Sequence, residues 1–186
     1  LQLGTSKTPV REALGRLVAD GLATATSGGK SAVYVTGLSN EEIIDLYEAR
    51  EIIEPPLARM AAAKAGKSEV TELRAILSSF KEGLEADDVF TLMELDSRLH
   101  EAIASTAGNR ALAQARARLD NAIAIARVTS VQNGHYRTSE QALSEHVDIC
   151  NAIAAHDEDT AERRMREHIR RRLDGLVATT SDAVRQ

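Results

Sequence analysis

Asp96 and His100 stand four residues apart in a run that begins at Leu92 and ends at Ile103. At about 100° per residue, Leu92, Leu95, Leu99 and Ile103 form one apolar stripe, and the two polar residues lie inside it or at its edge. Side chains at this spacing meet one turn above the other. A carboxylate turned into a helical core is costly unless positive charge meets it, and either an ion pair or a metal ion supplies that charge. His146 shares a buried arc with Leu143, Val147, Cys150 and Ile153, and His168 shares one with Met165, Ile169, Leu173 and Leu176. Three imidazoles and one carboxylate are therefore expected to point inward from three helices. That donor set suits a borderline divalent cation, Zn²⁺ first, with Ni²⁺, Co²⁺ or Mn²⁺ also accommodated. Each piece alone has a plainer alternative, an ordinary helix pair or a hydrogen-bonded core histidine. His135, in a loop, and His156, at a helix end where a cation favours the dipole, fit the plainer role.

Arg50 strengthens the pattern. It falls in the middle of the apolar stripe made by Ile43, Leu46, Tyr47, Ile53 and Leu57, and an inward guanidinium needs an anion. Glu54 on the same helix or Asp96 could provide it, and so could a carboxylate ligand clamped between Arg50 and the metal. Arg127 lies at the edge of its own apolar arc and is a second candidate clamp. The arginines at 163, 164, 166, 170, 171 and 172 read as a solvated face on an acidic body.

The elements that must position these residues are helices. The chain of 186 residues is 43% hydrophobic but only 3% aromatic and has no Trp, so its core is aliphatic. Proline and glycine thin out after residue 38, which allows long helices. Ser39 with Glu42 three residues on is a capping box and opens a helix to about Ala65, which Pro55-Pro56 should kink or interrupt. Further helices are expected at roughly 68–85, 87–106, 109–131, 138–155 and 158–178, and six helices with short connections pack economically as an antiparallel bundle. The breaks fall at Ala86-Asp87-Asp88, Ala107-Gly108-Asn109, Asn133-Gly134-His135 and His156-Asp157-Glu158-Asp159. A lone Cys150 argues against a disulfide scaffold and suits a reducing cytoplasm; no apolar run approaches a membrane span.

The first 37 residues differ from the rest. They hold four cations against two anions, a surplus of +2, whereas the total is −5, so residues 38–186 carry −7. Thr8 as N-cap and Pro9 at the first helical position start a short helix over 8–20, with Val10, Leu14, Leu17 and Val18 as its buried stripe and Gly21 as its end. Two β-like runs, 22–26 and 32–36, flank a glycine turn that contains Ser27, Gly28 and Lys30. Helix followed by hairpin is the second half of a winged helix-turn-helix. Ser6, Lys7, Thr8 and Arg11 at the helix start would approach base edges and phosphates, and Ser27, Gly28 and Lys30 would form a basic wing tip. An ordinary capped helix and hairpin is the competing reading.

The run Ser6-Lys7-Thr8-Pro9-Val10-Arg11-Glu12-Ala13-Leu14, with Arg16-Leu17 and Asp20-Gly21-Leu22, resembles the winged-helix head of GntR-family bacterial transcription regulators. The resemblance extends over the body through Leu46-Tyr47-Glu48-Ala49-Arg50, Gly108-Asn109, Ser144-Glu145-His146 and Glu167-His168, which look like the ligand-binding domain of the FadR-type branch. That resemblance implies a divalent metal on Asp96, His100, His146 and His168, a small carboxylate or sugar-acid effector beside it, a homodimer, and repression at a palindromic operator. The six-helix count resembles the VanR subgroup more than the seven-helix FadR subgroup. The chain opens on Leu1, and such a head normally begins with two further helices, so an N-terminal piece is expected to be absent. The expected organisation is a partial winged-helix head at 1–37 and a helical effector- and metal-binding domain at 38–186. Two alternatives remain at this point: a small metal-dependent hydrolase, and a helical domain whose metal is purely structural.

Overall fold

In the computed structural model, residues 6–19, 23–26, 32–35, 37–132 and 140–183 are described. The N-terminal segment comprises helix α1 (Lys7–Ala19) and strands β1 (Ala23–Ala25) and β2 (Val33–Val35). The strands pair antiparallel with Thr24 opposite Tyr34. Seven helices follow among the described residues: α2 (Asn40–Lys64), α3 (Lys67–Glu85), α4 (Val89–Thr106), α5 (Arg110–Ala117), α6 (Asp120–Gln132), α7 (Glu140–Ala154) and α8 (Glu158–Ala183).

The local chemistry of the connections explains their positions. Ser39 caps α2 as expected: its hydroxyl accepts from the Glu42 amide at 3.2 Å, and the Glu42 carboxylate accepts from the Ser39 amide at 2.8 Å. Three other breaks share one device. Asp87, Gly108 and His156 adopt left-handed backbone (φ 52°, 62° and 56°). The next residue in each case, Asp88, Asn109 or Asp157, takes an amide of the following helix on its side chain. Behind Asp87 and His156 the chain closes with bonds from Asp88 to the Gly83 carbonyl and from Asp157 to the Ala152 carbonyl.

Three expectations change. The helix expected over 109–131 is two helices, because the chain makes a tight turn at Arg118-Leu119, where the Leu119 amide bonds to the Arg116 carbonyl at 2.8 Å. Among the described residues the bundle therefore has seven helices and not six. Pro55-Pro56 does not interrupt α2. Pro55 leaves the Glu51 carbonyl without its helical donor, and Arg166 of α8 supplies one at 3.3 Å. The stripe on α1 is not buried: Val10, Leu14 and Val18 are half-covered and Leu17 is exposed. Leu14 and Leu17 of that stripe face Ala23, Val33, Tyr34 and one face of α6 across an apolar cavity of about 320 Å³.

The core lies between α2, α3, α4, α7 and α8. Ala58, Ala61 and Ala62 let α2 lie close against its neighbours, with Leu73, Phe80, Leu99, Ile103, Ile149, Ile153, Met165 and Ile169 filling the interior. The longest pairing runs between α2 and α8, pinned outside by Arg166 and Arg170 on Glu51. α4 is packed against α2 and α3, so anything on its apolar stripe faces the middle of the bundle.

Candidate metal centre

The stripe of α4 is buried at Leu92, Leu95, Leu99 and Ile103, and Asp96 and His100 are buried with it. His146 enters from α7 and His168 from α8. All four have 2% or less of their surface exposed. One ligand atom from each lies within 4.8 Å of the other three. The four residues singled out from sequence spacing are therefore brought together by three helices.

The bonding around them separates atoms already used from atoms left free. His100 faces the Glu54 carboxylate with Nδ1 at 2.5 Å, and His168 faces Glu145 with Nδ1 at 2.8 Å. Each carboxylate is held in turn by an arginine: Glu54 accepts from Arg50 Nε at 2.5 Å, and Glu145 from Arg171 Nη1 at 2.5 Å. A carboxylate on Nδ1 keeps the proton there and leaves Nε2 with its lone pair, the usual support for a metal-bound imidazole. Arg127 of α6 takes Asp96 Oδ2 and also donates to Ser97 Oγ at 2.9 Å.

What remains is the inward set. His100 Nε2, Asp96 Oδ1 and both nitrogens of His146 are buried with no hydrogen-bond partner. His146 Nε2 lies 3.3 Å from Asp96 Oδ1, and His100 Nε2 lies 3.9 Å from Asp96 Oδ2. Two donors each about 2.1 Å from a tetrahedral ion are about 3.4 Å apart, so the spacing of His146 Nε2 and Asp96 Oδ1 fits a shared cation. Buried polar atoms without partners are rare and costly, and three residues that present them around one space, with His168 beside them, mark a gap that a ligand would fill. The donor set fits a divalent metal.

Electrostatics favour the ligating protonation states. Burial alone would raise the Asp96 pKa, but Arg127 beside it, with His146 and His100, outweighs this and holds it well below the usual carboxylate range. Burial likewise opposes ionisation of Glu54, and Arg50 and His100 overcome it. Burial pushes His168 down to about 3 despite Glu145, and lowers His100 despite Glu54, so both rings are neutral at pH 7. Cys150, one turn from His146, is pushed up to about 12 by burial and stays a thiol.

Arg50 is almost fully buried and sits over the Tyr47 ring, 4.8 Å from its centroid. Its Nε bonds Glu54, but its Nη1 has no partner. Arg127, the other clamp candidate, is engaged with Asp96, Ser97 and the Met93 carbonyl. Spacing within the sequence did not reveal Glu54 as the partner of His100 or Glu145 as the partner of His168, because these pairs lie 46 and 23 residues apart. Arg116, buried on α5 and paired with Asp120 at 2.9 Å, was also missed. His156 turns its Nδ1 to the Ala62 carbonyl at 2.8 Å, away from the cluster, and His135 lies outside the described residues.

At the other end of the chain, Ser6, Lys7, Thr8 and Arg11 are all exposed around the start of α1. Ser27, Gly28 and Lys30 lie outside the described residues.

Known proteins resemble this chain over nearly its whole length. The model of the FCD domain matches residues 45–171, which contain the four-residue cluster, Arg50 and Arg127. The chain is 28% identical over 183 residues to the Nta operon transcriptional regulator of Aminobacter aminovorans, covering 98% of this chain and 83% of that protein. It is 30% identical to the transcriptional repressor GlaR of Escherichia coli, over 87% of this chain and 75% of the repressor. Among solved structures, E. coli McbR/YncC superposes with a TM-score of 0.80 at 18% identity, covering 95% of this chain and 87% of that one. A putative GntR regulator from Rhodococcus sp. RHA1 gives 0.76 at 22% identity, covering 95% and 82%.

Proposed function

The chain belongs to the FCD-domain branch of the GntR family of bacterial transcription regulators, and from that premise we propose that it is a metal-dependent sensor of small organic acids. Its relatives and fold neighbours are regulators and not enzymes, so the hydrolase alternative falls away. In this reading residues 38–186 hold a divalent metal, Zn²⁺ first and Ni²⁺, Co²⁺ or Mn²⁺ as competitors, on Asp96, His100, His146 and His168. A carboxylate or sugar-acid effector binds beside the metal and takes the free Nη1 of Arg50. Arg127 contributes from the Asp96 side. Residues 1–37 are the DNA-contacting head, with Ser6, Lys7, Thr8 and Arg11 on the operator and Ser27, Gly28 and Lys30 as the wing tip. A cytoplasmic homodimer on a palindromic operator, acting as a repressor, completes the reading. No helix among the described residues is long and apolar enough to cross a membrane.

The observation that carries the proposal is the set of inward, unpartnered donor atoms on Asp96, His100 and His146. The test is a thermal-shift series with metal analysis of the same sample. Zn²⁺ should raise the Tm of chelator-treated protein, and small carboxylates should raise it further only when metal is present. His146→Ala should abolish the metal response. Arg50→Gln should keep the metal response and lose the carboxylate response. A metal response with no carboxylate effect in wild type would leave a purely structural ion.

A further inference from the structure

We infer that α6 is the element through which the metal centre acts on the N-terminal segment, with Arg127 as the positioning residue that ties Asp96 to it. The inference rests on the metal-centre reading above and adds a route and a residue to it.

α6 is used on two sides. On one, Arg127 reaches the Asp96 carboxylate, Ser97 Oγ and the Met93 carbonyl, all on α4. On the other, Ala124, Ile125 and Val128 line the apolar cavity whose opposite wall is Leu14 and Leu17 of α1, Ala23 of β1, and Val33 and Tyr34 of β2. Thr129 extends that side to the connection before α2: a Cβ on Gly37 would lie 3.3 Å from Thr129 Cγ2, so glycine there lets the linker rest on α6. At 100° per residue, Arg127 is roughly 130° around the helix from the centre of this face. One short rigid rod therefore touches a ligand carboxylate with one side and the N-terminal segment and its linker with the other.

Arg127 also sets how Asp96 can coordinate. With Oδ2 held by the guanidinium, Oδ1 is the oxygen left facing His146 Nε2. Asp96 is thereby restricted to one coordinating oxygen. A metal that draws Oδ1 inward moves the carboxylate, and Arg127 passes that movement to α6. The far wall of the cavity is easily displaced, because α1 has no fully buried residue among those described. By linkage, whatever fixes the N-terminal segment should feed back on metal affinity.

The test uses the full chain and two readouts: Zn²⁺ titration calorimetry, and hydrogen exchange of the α1, β1 and β2 amides with and without saturating Zn²⁺. In wild type, Zn²⁺ should bind and change exchange in these elements. Arg127→Gln should weaken Zn²⁺ binding 10- to 100-fold, the range seen when an outer-shell partner is lost, and should abolish the exchange change at saturation. Arg127→Lys should restore part of the affinity. Val128→Ser leaves the charged network alone. It should bind Zn²⁺ within about twofold of wild type yet lose the exchange response, and it carries the test should Arg127→Gln not fold. Zn²⁺ binding in wild type with unchanged exchange in α1 would overturn the coupling and leave the metal centre standing. Unaltered affinity in a folded Arg127→Gln would overturn the positioning role. No Zn²⁺ binding in wild type would remove the centre itself.

Discussion

Asp96 and Arg127 form a buried ion pair, and the guanidinium is the largest favourable influence on the carboxylate. Truncating Asp96 to Ala leaves a buried guanidinium facing a hole, and the apo protein should lose about 3–5 kcal/mol in a urea titration. The neutral imidazoles give a second consequence at this scale. His168 has a folded pKa of about 3, below its unfolded value near 6.5. The unfolded chain then binds the extra proton between those values, so stability is complete above about pH 6.5 and is lost as pH falls toward 3. His100 and the depressed carboxyls of Asp96 and Glu54 act in the same direction. The Tm of the apo protein should fall steadily from pH 7 to pH 4, and His168→Gln should flatten the upper part of that fall. The candidate ligands were legible in sequence because Asp96, His100, His146 and His168 interrupt apolar stripes at helical spacing. Their carboxylate supports were not, because Glu54 and Glu145 reach across between helices and nothing in local spacing marks such a pair.

At the scale of the element, capping and breaking residues decided most boundaries. Ser39-x-x-Glu42 and the Asx caps at 88, 109 and 157 are short-range chemistry, so they could be read directly. Ser39→Ala should cost about 1 kcal/mol, measurable by denaturant unfolding. The turn at Arg118-Leu119 was hidden because neither Gly nor Pro marks it. Arg116 and Asp120, four apart, face each other across that turn as a pair, so the charge pattern there still looks helical. Pro55-Pro56 misled in the opposite sense, since the Arg166 side chain that answers the Glu51 carbonyl comes from a helix over a hundred residues away. Arg166→Ala should therefore destabilise α2 near its prolines, seen as faster amide exchange around residues 50–56 with a modest Tm loss. An i, i+4 surface pair with Glu162 would not account for an effect localised there.

Across the whole molecule, an acidic helical body carries a small cationic segment, and among the described residues the dense core lies in the body. The surplus charge at the N-terminus and the exposed Lys7 and Arg11 mean that operator affinity should drop steeply with salt, tracked by fluorescence anisotropy between 50 and 200 mM. The narrow apolar seam that joins the segment to α6 has a further outcome. Tyr34 is 59% exposed on β2, just ahead of the Gly37 linker, and little must come apart to offer it to a protease. Brief chymotrypsin treatment should nick the chain after Tyr34 and leave the remaining residues as a resistant fragment. Mass spectrometry of that trimmed piece should still show uptake of added zinc, as the proposed centre requires.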